Sequence, residues 1–318
     1  MPRFLFVKTS SLGDVVHNCP AVSDVARHVP GATIDWVVEE PFAGVAALHG
    51  SVRRVLPVAV RRWRASPLAR STWAEMAAFR AQLRAENYDA VIDTQGLLKS
   101  ALLAAFARGR KHGYDRASAR ESVAARFYDV RHAVAPELHA VERNRRLAAA
   151  ALGYRLEGPA DYGLRAEGAS PVAPGGPYAV LLTMTSRDDK LWPEEHWRAL
   201  GAWLGARGLA CVFPWGTKEE RARCARIAGA LRGALVPPRM EIDGLARLAR
   251  GARCVVGVDT GLAHLAAALT VPVVGLYCGS DPGLTGLYGN GRLRNLGAAG
   301  RPPSVVEVES AIGALGVA

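Results

Sequence analysis

The segment from Cys254 to Ala268 places the strongest constraint on how this chain can fold. Val255 to Val258 is a short run of β-branched and apolar residues, which is typical of a strand covered on both faces in a parallel sheet. Helix-forming residues follow directly after the polar turn Asp259-Thr260-Gly261. Such a step from strand to helix predicts a βα unit, and we expect the Thr260 hydroxyl to cap the helix.

The same alternation of apolar strands and amphipathic helices continues along the whole chain, which predicts an α/β fold. Each half of the chain is expected to build its own sheet. The predicted strands are residues 3–8, 34–38, 54–58, 90–93, 179–183, 210–214, 254–258 and 273–277. Residues 156–177 are rich in Gly, Pro and Ala and predict a linker. We therefore expect two doubly wound domains, residues 1–160 and 161–318, that face a cleft.

Composition excludes several classes of protein. A chain of 318 residues that is 50% hydrophobic can bury two substantial cores. No apolar stretch approaches the ~20 residues of a membrane span, and the N-terminal apolar run is too short for a secretory signal. The five cysteines are widely spaced and form no C-x-x-C pair, which argues against a disulfide framework or a zinc site. We expect a cytoplasmic protein with reduced, mostly buried thiols.

The formal net charge of +11 is concentrated in two runs without acidic residues, 41–74 and 95–114. Such runs attract nucleic acid, an anionic membrane surface or a phosphorylated substrate, although a solvated basic surface would look the same. Neither run has the interleaved aromatic residues of single-strand binders, so no nucleic-acid partner is predicted. Lys8, Lys99, Lys111 and Lys190 are expected at strand ends or in loops, where open α/β sheets bind ligands.

The turn after the strand 254–258 predicts a site for a phosphorylated sugar. The first turn of the following helix offers unpaired N–H groups and the positive end of the dipole, which favour an anion. Asp259 would repel phosphate but accept hydrogen bonds from sugar hydroxyls, and His264 lies one turn into the helix. An ordinary capped βα turn is the alternative interpretation.

Two further strand ends carry candidate chemistry. Asp14 follows the first strand, where it either caps the helix or, facing a cleft, takes a proton from a hydroxyl. Neither G-x-G-x-x-G nor the Walker A pattern is present. After the strand 179–183, Thr185 and Ser186 with Lys190 suit a diphosphate.

Residues near these hydroxyls set further expectations. Asp188-Asp189 followed by a lysine is a poor Mg²⁺ cage, so no metal is predicted. Pro193 suits the first position of the next helix. Trp215 follows another strand and either lines a base or sugar or packs in the core.

Ten short motifs follow one another along nearly the whole chain. They are Lys8-Thr9-Ser10-Ser11-Leu12-Gly13-Asp14, Trp36-Val37-Val38-Glu39-Glu40, Arg61-Arg62-Trp63-Arg64, Gln95-Gly96-Leu97-Leu98-Lys99-Ser100, Lys111-His112-Gly113, His139-Ala140-Val141-Glu142-Arg143, Arg187-Asp188-Asp189-Lys190, Pro214-Trp215-Gly216, Asp259-Thr260-Gly261-Leu262-Ala263-His264 and Asp281-Pro282-Gly283-Leu284. In this order they resemble the lipopolysaccharide heptosyltransferases of glycosyltransferase family 9. The Arg-Arg-Trp-Arg and Arg-Asp-Asp-Lys motifs are similar to those of the heptosyltransferase I group.

The resemblance implies a GT-B fold, two Rossmann-like domains facing a central cleft, with the acceptor in the N-terminal domain and the donor in the C-terminal one. It implies an inverting, metal-independent transfer of heptose from ADP-L-glycero-β-D-manno-heptose to the Kdo of Kdo-lipid A. No cofactor is expected beyond this nucleotide-sugar substrate. Such an enzyme would lie peripherally on the cytoplasmic face of the inner membrane. A related enzyme acting on a later core sugar, or a non-catalytic polyanion-binding protein, are the alternatives.

The resemblance also implies roles for individual residues. Asp14 would be the general base, and Lys190 would stabilise the departing ADP. The donor-binding residues would be Thr185, Ser186, Lys190, Trp215, Glu219, Met240, Asp259, Thr260, Gly261 and His264. The acceptor-binding residues would be Ser10, Gly13, Arg61, Arg62, Arg64, Lys99, Lys111 and Arg120. Glu220 is an alternative to Glu219 for the ribose, and Met240 would lie near adenine.

Two segments depart from the family pattern. Thr183-Met184 stands where the family often has His-Ala, and Cys278-Gly279-Ser280 stands where Gly-Pro-Thr is more usual. We further expect the acid-free segment 41–74 to become ordered around the anionic groups of the acceptor, because Arg61, Arg62 and Arg64 flank Trp63 at a loop position that permits movement.

Overall fold

A computed structural model describes residues 1–317 of the chain. Contacts divide the chain into two compact units, unit 1 (Met1–Gly163) and unit 2 (Leu164–Ala318). Within the described residues, no helix is long and apolar enough to cross a membrane. All five cysteines are buried free thiols, as the sequence predicted.

Unit 1 is built on a six-stranded parallel sheet in the order β3-β2-β1-β4-β5-β6. Its strands are β1 (Arg3–Val7), β2 (Thr33–Glu39), β3 (Val52–Val58), β4 (Asn87–Asp93), β5 (Arg108–Tyr114) and β6 (Val130–His132). Its α-helices are α1 (Leu12–His28), α2 (Ala43–Ala47), α3 (Val60–Ala65), α4 (Arg70–Arg84), α5 (Leu98–Phe106) and α6 (Ala140–Leu152). Two 3₁₀ turns span Glu40–Phe42 and Ser122–Phe127.

The central strands of unit 1 are buried on both faces, because helices cover the sheet on each side. All of β1 after its first residue is buried. Helices α1 and α6 are joined by the buried ion pair of Asp24 and Arg145, whose carboxylate oxygen and Nε lie 2.7 Å apart. The chain builds β2 and β3 on one side of β1 and then crosses to β4 on the other side. The carboxyl ends of β1 and β4 therefore form a topological switch point, the place where open α/β sheets bind ligands.

Unit 2 is built on a five-stranded parallel sheet in the order β11-β10-β9-β7-β8. Its strands are β7 (Tyr178–Leu182), β8 (Ala210–Val212), β9 (Cys254–Val258), β10 (Val273–Tyr277) and β11 (Leu293–Gly297). Its α-helices are α7 (Glu194–Gly205), α8 (Lys218–Ala228), α9 (Ile242–Gly251), α10 (Gly261–Ala268), α11 (Pro282–Thr285) and α12 (Val305–Ala314). A 3₁₀ turn spans Asp188–Lys190.

The core of unit 2 packs around tryptophan. The rings of Trp192 and Trp197 meet edge to face with centroids 5.0 Å apart, and both side chains are fully buried. A single parallel bridge between Val212 and Leu235 continues the sheet beyond β8. The chain crosses from β8 to β9 on the other side of β7, so the switch point of this sheet lies between β7 and β9.

All eight predicted strands are present, and each half of the chain builds its own sheet as predicted. The sequence analysis missed β5, β6 and β11, which are polar or very short strands toward the sheet edges and lack an apolar run. The predicted strand 210–214 ends at Val212.

Three local predictions were wrong. Thr260 is the N-cap residue of α10, but its side chain makes no capping hydrogen bond. Pro193 is the N-cap of α7 rather than its first helical residue. Lys111 lies inside β5 and Lys99 lies in the first turn of α5, so neither lysine is at a strand end or in a loop.

Candidate functional site

Asp259 is the centre of a polar cluster at the switch point of unit 2. Its Oδ2 accepts hydrogen bonds from Lys190 Nζ at 2.6 Å and from Ser280 Oγ at 2.7 Å. The Thr185 hydroxyl donates to the backbone oxygen of Asp259 at 2.8 Å. His264 Nε2 lies 3.8 Å from Oδ1. The structure thus brings together four residues predicted for the donor site, and it adds Ser280.

The sheet explains why residues so far apart in sequence meet here. Strands β7, β9 and β10 are adjacent, so the segments that follow them leave the same edge. Gly279 lets the loop after β7 approach the turn after β10, because a Cβ at this position would lie 2.6 Å from the backbone oxygen of Asp189. Lys190 is thereby held against Asp259.

The Asp259 carboxylate stays ionised although it is mostly buried. Burial by itself would raise its pKa, but the contacts with His264, Lys190 and Ser280 outweigh this and hold the pKa of Asp259 well below its usual range. The Asp259 side chain keeps 12% of its surface exposed. The site therefore offers an open carboxylate that accepts hydrogen bonds next to a cation and hydroxyls that donate them.

Other predicted donor residues lie beside this cluster. Thr260 and Gly261 begin α10 directly after Asp259, so the positive end of the helix dipole lies at the cluster. Ser186 is exposed on the loop after β7. Asp189 is paired with Arg187. Among the described residues, no group of three or more His, Cys, Asp or Glu side chains is arranged to hold a metal ion.

The other predicted donor residues lie at the starts of two helices. Trp215 precedes α8, Glu219 and Glu220 lie in its first turn, and Met240 precedes α9. Trp215 is half-buried, and its ring N–H donates to the backbone oxygen of Pro237 at 2.7 Å. Part of the ring therefore packs against the core of unit 2, which is one of the two positions predicted for it. Glu220 is engaged in the capping box of α8, where its Oε2 accepts the Gly216 N–H at 2.6 Å. Glu219 is exposed and Met240 is half-buried. Of the two glutamates, Glu219 is the one outside the cap.

The switch point of unit 1 is organised by Gln95 and Lys8. The Gln95 side chain accepts the Thr9 N–H at 3.0 Å and donates to the Ser10 backbone oxygen at 2.7 Å, which joins the ends of β1 and β4. Lys8 is only 2% exposed, and its Nζ donates to the Thr94 backbone oxygen at 2.9 Å. Burial is the main cause that lowers the pKa of Lys8 to about 8.

Asp14 lies in the first turn of α1, where it takes part in the helix cap, and its role as a proton acceptor stays a prediction. Its Oδ2 accepts the Ser11 N–H at 2.7 Å in a capping box, and its Oδ1 accepts Nη2 of Arg120 at 2.8 Å. Burial raises the pKa of Asp14, but the charges of Lys8 and Arg120 and the Ser11 N–H together lower it. Asp14 is therefore a carboxylate that is ionised at neutral pH.

Two more predicted acceptor residues lie near this aspartate. Lys99 donates from Nζ to the Ser10 hydroxyl at 2.8 Å, and Gly13 precedes Asp14 in α1. Lys111 lies in the middle of β5, and its backbone N–H donates to the Asp129 carboxylate at 2.8 Å. The structure thus connects Ser10 with Lys99 and Asp14 with Arg120.

The Arg61–Arg64 segment is not a loop, and this expectation was wrong. It forms α3, in which Trp63 is buried in the core and donates from its ring N–H to Glu75 at 2.8 Å. Arg62 is held by Glu75 at 2.7 Å and by Glu40 at 3.2 Å. The guanidinium of Arg61 lies 5.2 Å from the centre of the Phe42 ring, and Arg64 is exposed. The buried tryptophan anchors this helix.

Sequence reasoning assigned no role to Ser280 or Gln95, and it placed Lys8 at a ligand-binding edge of the sheet without naming its partners. Ser280 follows β10, a predicted strand next to the strand that ends at Asp259. The rule that parallel strands end at one edge could have found it. Lys8 and Gln95 were quoted as parts of motifs, but only the strand order brings their segments together.

Solved structures similar to this chain define its class. The structure of E. coli heptosyltransferase WaaC with ADP matches with a TM-score of 0.92 and 45% identity, covering 98% of this chain and 99% of that chain. The structure of E. coli WaaC with ADP-2-deoxy-2-fluoro heptose matches with a TM-score of 0.89 and 44% identity over the same shares. The fold is that of the GT-B glycosyltransferases, as predicted.

Sequence comparisons define the family. The model of glycosyltransferase family 9 (heptosyltransferase) matches residues 76–311. Lipopolysaccharide heptosyltransferase 1 of Escherichia coli (strain K12) is 48% identical over 294 residues, which is 92% of each chain. This chain belongs to glycosyltransferase family 9, the heptosyltransferases. The family resemblance inferred from its motifs is therefore confirmed.

Proposed function

We propose that this enzyme transfers L-glycero-D-manno-heptose from ADP-heptose to the Kdo of Kdo-lipid A, with inversion at the anomeric carbon and without a metal ion. The observation that carries this proposal is the cluster around Asp259, where a carboxylate, a lysine and hydroxyls converge next to a helix N-terminus. Phosphates require donors and positive charge, whereas sugar hydroxyls require an acceptor. The cluster combines both in one place.

The donor half of the reaction is assigned to unit 2. Lys190, Thr185, Ser186 and the start of α10 would hold the diphosphate, and Asp259 would accept hydrogen bonds from heptose hydroxyls. ADP gains negative charge as it departs, and a fixed ammonium and helix dipole stabilise this charge without reorganisation. Glu219 and Met240 are proposed for the ribose and the adenine.

The acceptor half is assigned to unit 1, with Asp14 as general base. The acceptor hydroxyl gives its proton to Asp14 while its oxygen bonds to the anomeric carbon of heptose. The bond from that carbon to the phosphate oxygen breaks in the same displacement, and ADP leaves with the electron pair. A single displacement inverts the configuration. Ser10, Gly13 and Lys99 are proposed to orient the acceptor.

The net charge of +11 supports an anionic acceptor and a peripheral position on the membrane. Lipid A carries phosphates and Kdo carries carboxylates, and arginine pairs well with both groups. Arg61, Arg64 and Lys111 have no acidic partner among the described ion pairs, so they are proposed for these contacts. Arg62 already pairs with Glu40 and Glu75, and we assign it a supporting role.

The proposal is tested by measuring ADP release from ADP-heptose with two acceptors, Kdo-lipid A and the same lipid already carrying one heptose. We expect turnover with Kdo-lipid A only, an α-linked product by NMR, and full activity in EDTA. Turnover with the heptosylated lipid alone would show that the enzyme acts on a later core sugar. Activity that EDTA abolishes and Mg²⁺ restores would exclude the metal-independent mechanism.

A further inference from the structure

Both carboxylate oxygens of Asp14 are occupied in the protein without substrate. Oδ2 accepts the Ser11 N–H at 2.7 Å and lies 3.3 Å from the Ser11 hydroxyl, contacts that belong to the capping box of α1. Oδ1 accepts Nη2 of Arg120 at 2.8 Å. The cap therefore leaves Oδ1 as the oxygen for a substrate hydroxyl, and Arg120 covers it.

A general base works only when its oxygen reaches the hydroxyl at about 2.6–3.2 Å. A guanidinium on the same oxygen competes for that position. It is also one of the charges that, with Lys8, overcome the effect of burial and lower the pKa of Asp14. As long as the ion pair persists, Asp14 is both covered and weakly basic.

The backbone at Arg120 is fixed, whereas its side chain is not. The Glu121 N–H donates to the Gly96 backbone oxygen at 3.0 Å, and the Glu121 carboxylate accepts the Leu98 N–H at 2.7 Å. Gly96 has a φ of +68°, and a Cβ there would lie 3.0 Å from the Tyr114 ring and 3.4 Å from the Arg120 nitrogen. A glycine is therefore needed for this close approach.

The Arg120 side chain itself is 38% exposed, against 15% for Asp14. Among residues 1–317, Asp14 is its only ion-pair partner. The guanidinium can thus rotate away without disturbing the backbone that carries it, and any loss of the Asp14 contact must be offset by another anion.

Positive charge around this pair draws such an anion in. Lys99 donates to the Ser10 hydroxyl at 2.8 Å. It lies in the electrostatic field of two carboxylates and two guanidiniums, those of Glu39, Arg61, Asp14 and Arg64. A carboxylate is the natural exchange partner, since a free carboxylate can accept a guanidinium in a forked geometry, whereas Asp14 accepts a single hydrogen bond from Arg120.

We propose that Arg120 is a specificity-determining residue that couples the base to the charge of the acceptor. Its guanidinium covers Oδ1 of Asp14 and, when the acceptor binds, transfers to a carboxylate of the acceptor sugar, which uncovers the base. A neutral acceptor leaves the ion pair intact and the base covered. This inference rests on the proposed role of Asp14 as general base.

The test compares kcat for a Kdo acceptor with kcat for its carboxamide analogue, in the wild type and in Arg120→Gln. We expect the wild type to favour the carboxylate by roughly tenfold or more, and the variant to favour it by less than about threefold. Arg120→Lys should keep part of the preference. Arg116→Gln, which changes an exposed arginine of the same loop, should behave as wild type. An unchanged preference in Arg120→Gln would overturn the proposal.

A pH profile supplies a second readout. Removing the guanidinium raises the pKa of Asp14, so the acid limb of kcat/KM should move to higher pH in Arg120→Gln. If the acid limb of the kcat/KM profile does not shift in this variant, the proposed coupling between Arg120 and Asp14 is contradicted. Asp14→Asn separates the two proposals: near-normal kcat in that variant would refute the general base, whereas a large loss combined with an unchanged acceptor preference in Arg120→Gln would refute only the exchange.

Discussion

Each unit pairs an aspartate with a basic side chain at the switch point of its sheet, Asp14 with Arg120 in unit 1 and Asp259 with Lys190 in unit 2. The two pairs differ in how many groups hold the acid. Asp259 contacts Lys190 and Ser280 through one oxygen, faces His264 with the other, and has its backbone held by Thr185. The oxygen of Asp14 outside the helix cap has one partner, an exposed arginine.

This difference agrees with the proposed roles of Asp259 as a binding group and Asp14 as a reacting group. A carboxylate fixed by several neighbours keeps its position and its charge, which suits recognition of a sugar. A carboxylate held by one movable cation can change partner and accept a proton. We therefore propose that the same topological position serves two purposes, and that the number of groups in contact with the aspartate distinguishes them.

The largest expected effect falls on the reacting group. Asp14→Asn should lower kcat by about 10²-fold or more with little change in affinity for ADP, because the amide cannot accept the acceptor proton. Steady-state kinetics and calorimetry with ADP measure the two quantities. A kcat within a few-fold of wild type would remove the distinction drawn here.

The binding group should show the opposite pattern. Asp259→Asn should weaken affinity for ADP-heptose by about 10- to 100-fold, since a hydrogen bond to a charged group is lost, but should affect ADP much less. Ser280→Ala is the matched control, because it removes one contact to the same Oδ2 and keeps the charge. Equal losses for ADP and ADP-heptose in calorimetry would contradict a role in sugar recognition.

The pH dependence of stability should show that Asp259 is held ionised by its neighbours. The folded pKa of Asp259 lies below its unfolded value of about 3.9, so the unfolded state binds more protons and stability falls as pH drops below about 5. Above about pH 5, the ionised Asp259 makes its full contribution to the stability of the folded state. Thermal midpoints should fall by a few degrees less between pH 6 and pH 3 in Asp259→Asn than in the wild type. An identical fall would mean that Asp259 is not held ionised by its neighbours.

Much of this fold could be predicted from the sequence, because both sheets are parallel and their central strands are continuous apolar runs. The boundaries of Cys254–Val258 and Val273–Tyr277 were predicted to the residue. Strand β5 could not be found in this way, since Arg108–Tyr114 carries charge on a strand near the sheet edge. Its existence depends on pairing with β4, which is a long-range contact.

The candidate site could be predicted as a set of residues but not as a set of partners. Asp259 and Lys190 were both assigned to the donor, yet the sequence does not reveal that they contact each other at 2.6 Å. Likewise, Asp14 and Arg120 are 106 positions apart and are joined only by the order of the strands. Periodicity reports burial and element type, whereas pairing between distant polar side chains depends on topology.

The smallest expected effect concerns α3, which the structure shows as an anchored helix. Arg61→Ala with Arg64→Ala should raise KM for Kdo-lipid A by about 3- to 10-fold, because exposed charges each contribute up to about 1 kcal/mol. The donor KM should not change, and the salt dependence of acceptor binding should weaken. Arg62→Ala is the control, since its guanidinium is already bound by Glu40 and Glu75 and its loss should affect thermal stability more than KM. If the donor KM rises in the double variant while the acceptor KM stays constant, the basic patch belongs to the donor, and the assignment of acceptor to unit 1 and donor to unit 2 fails at this point.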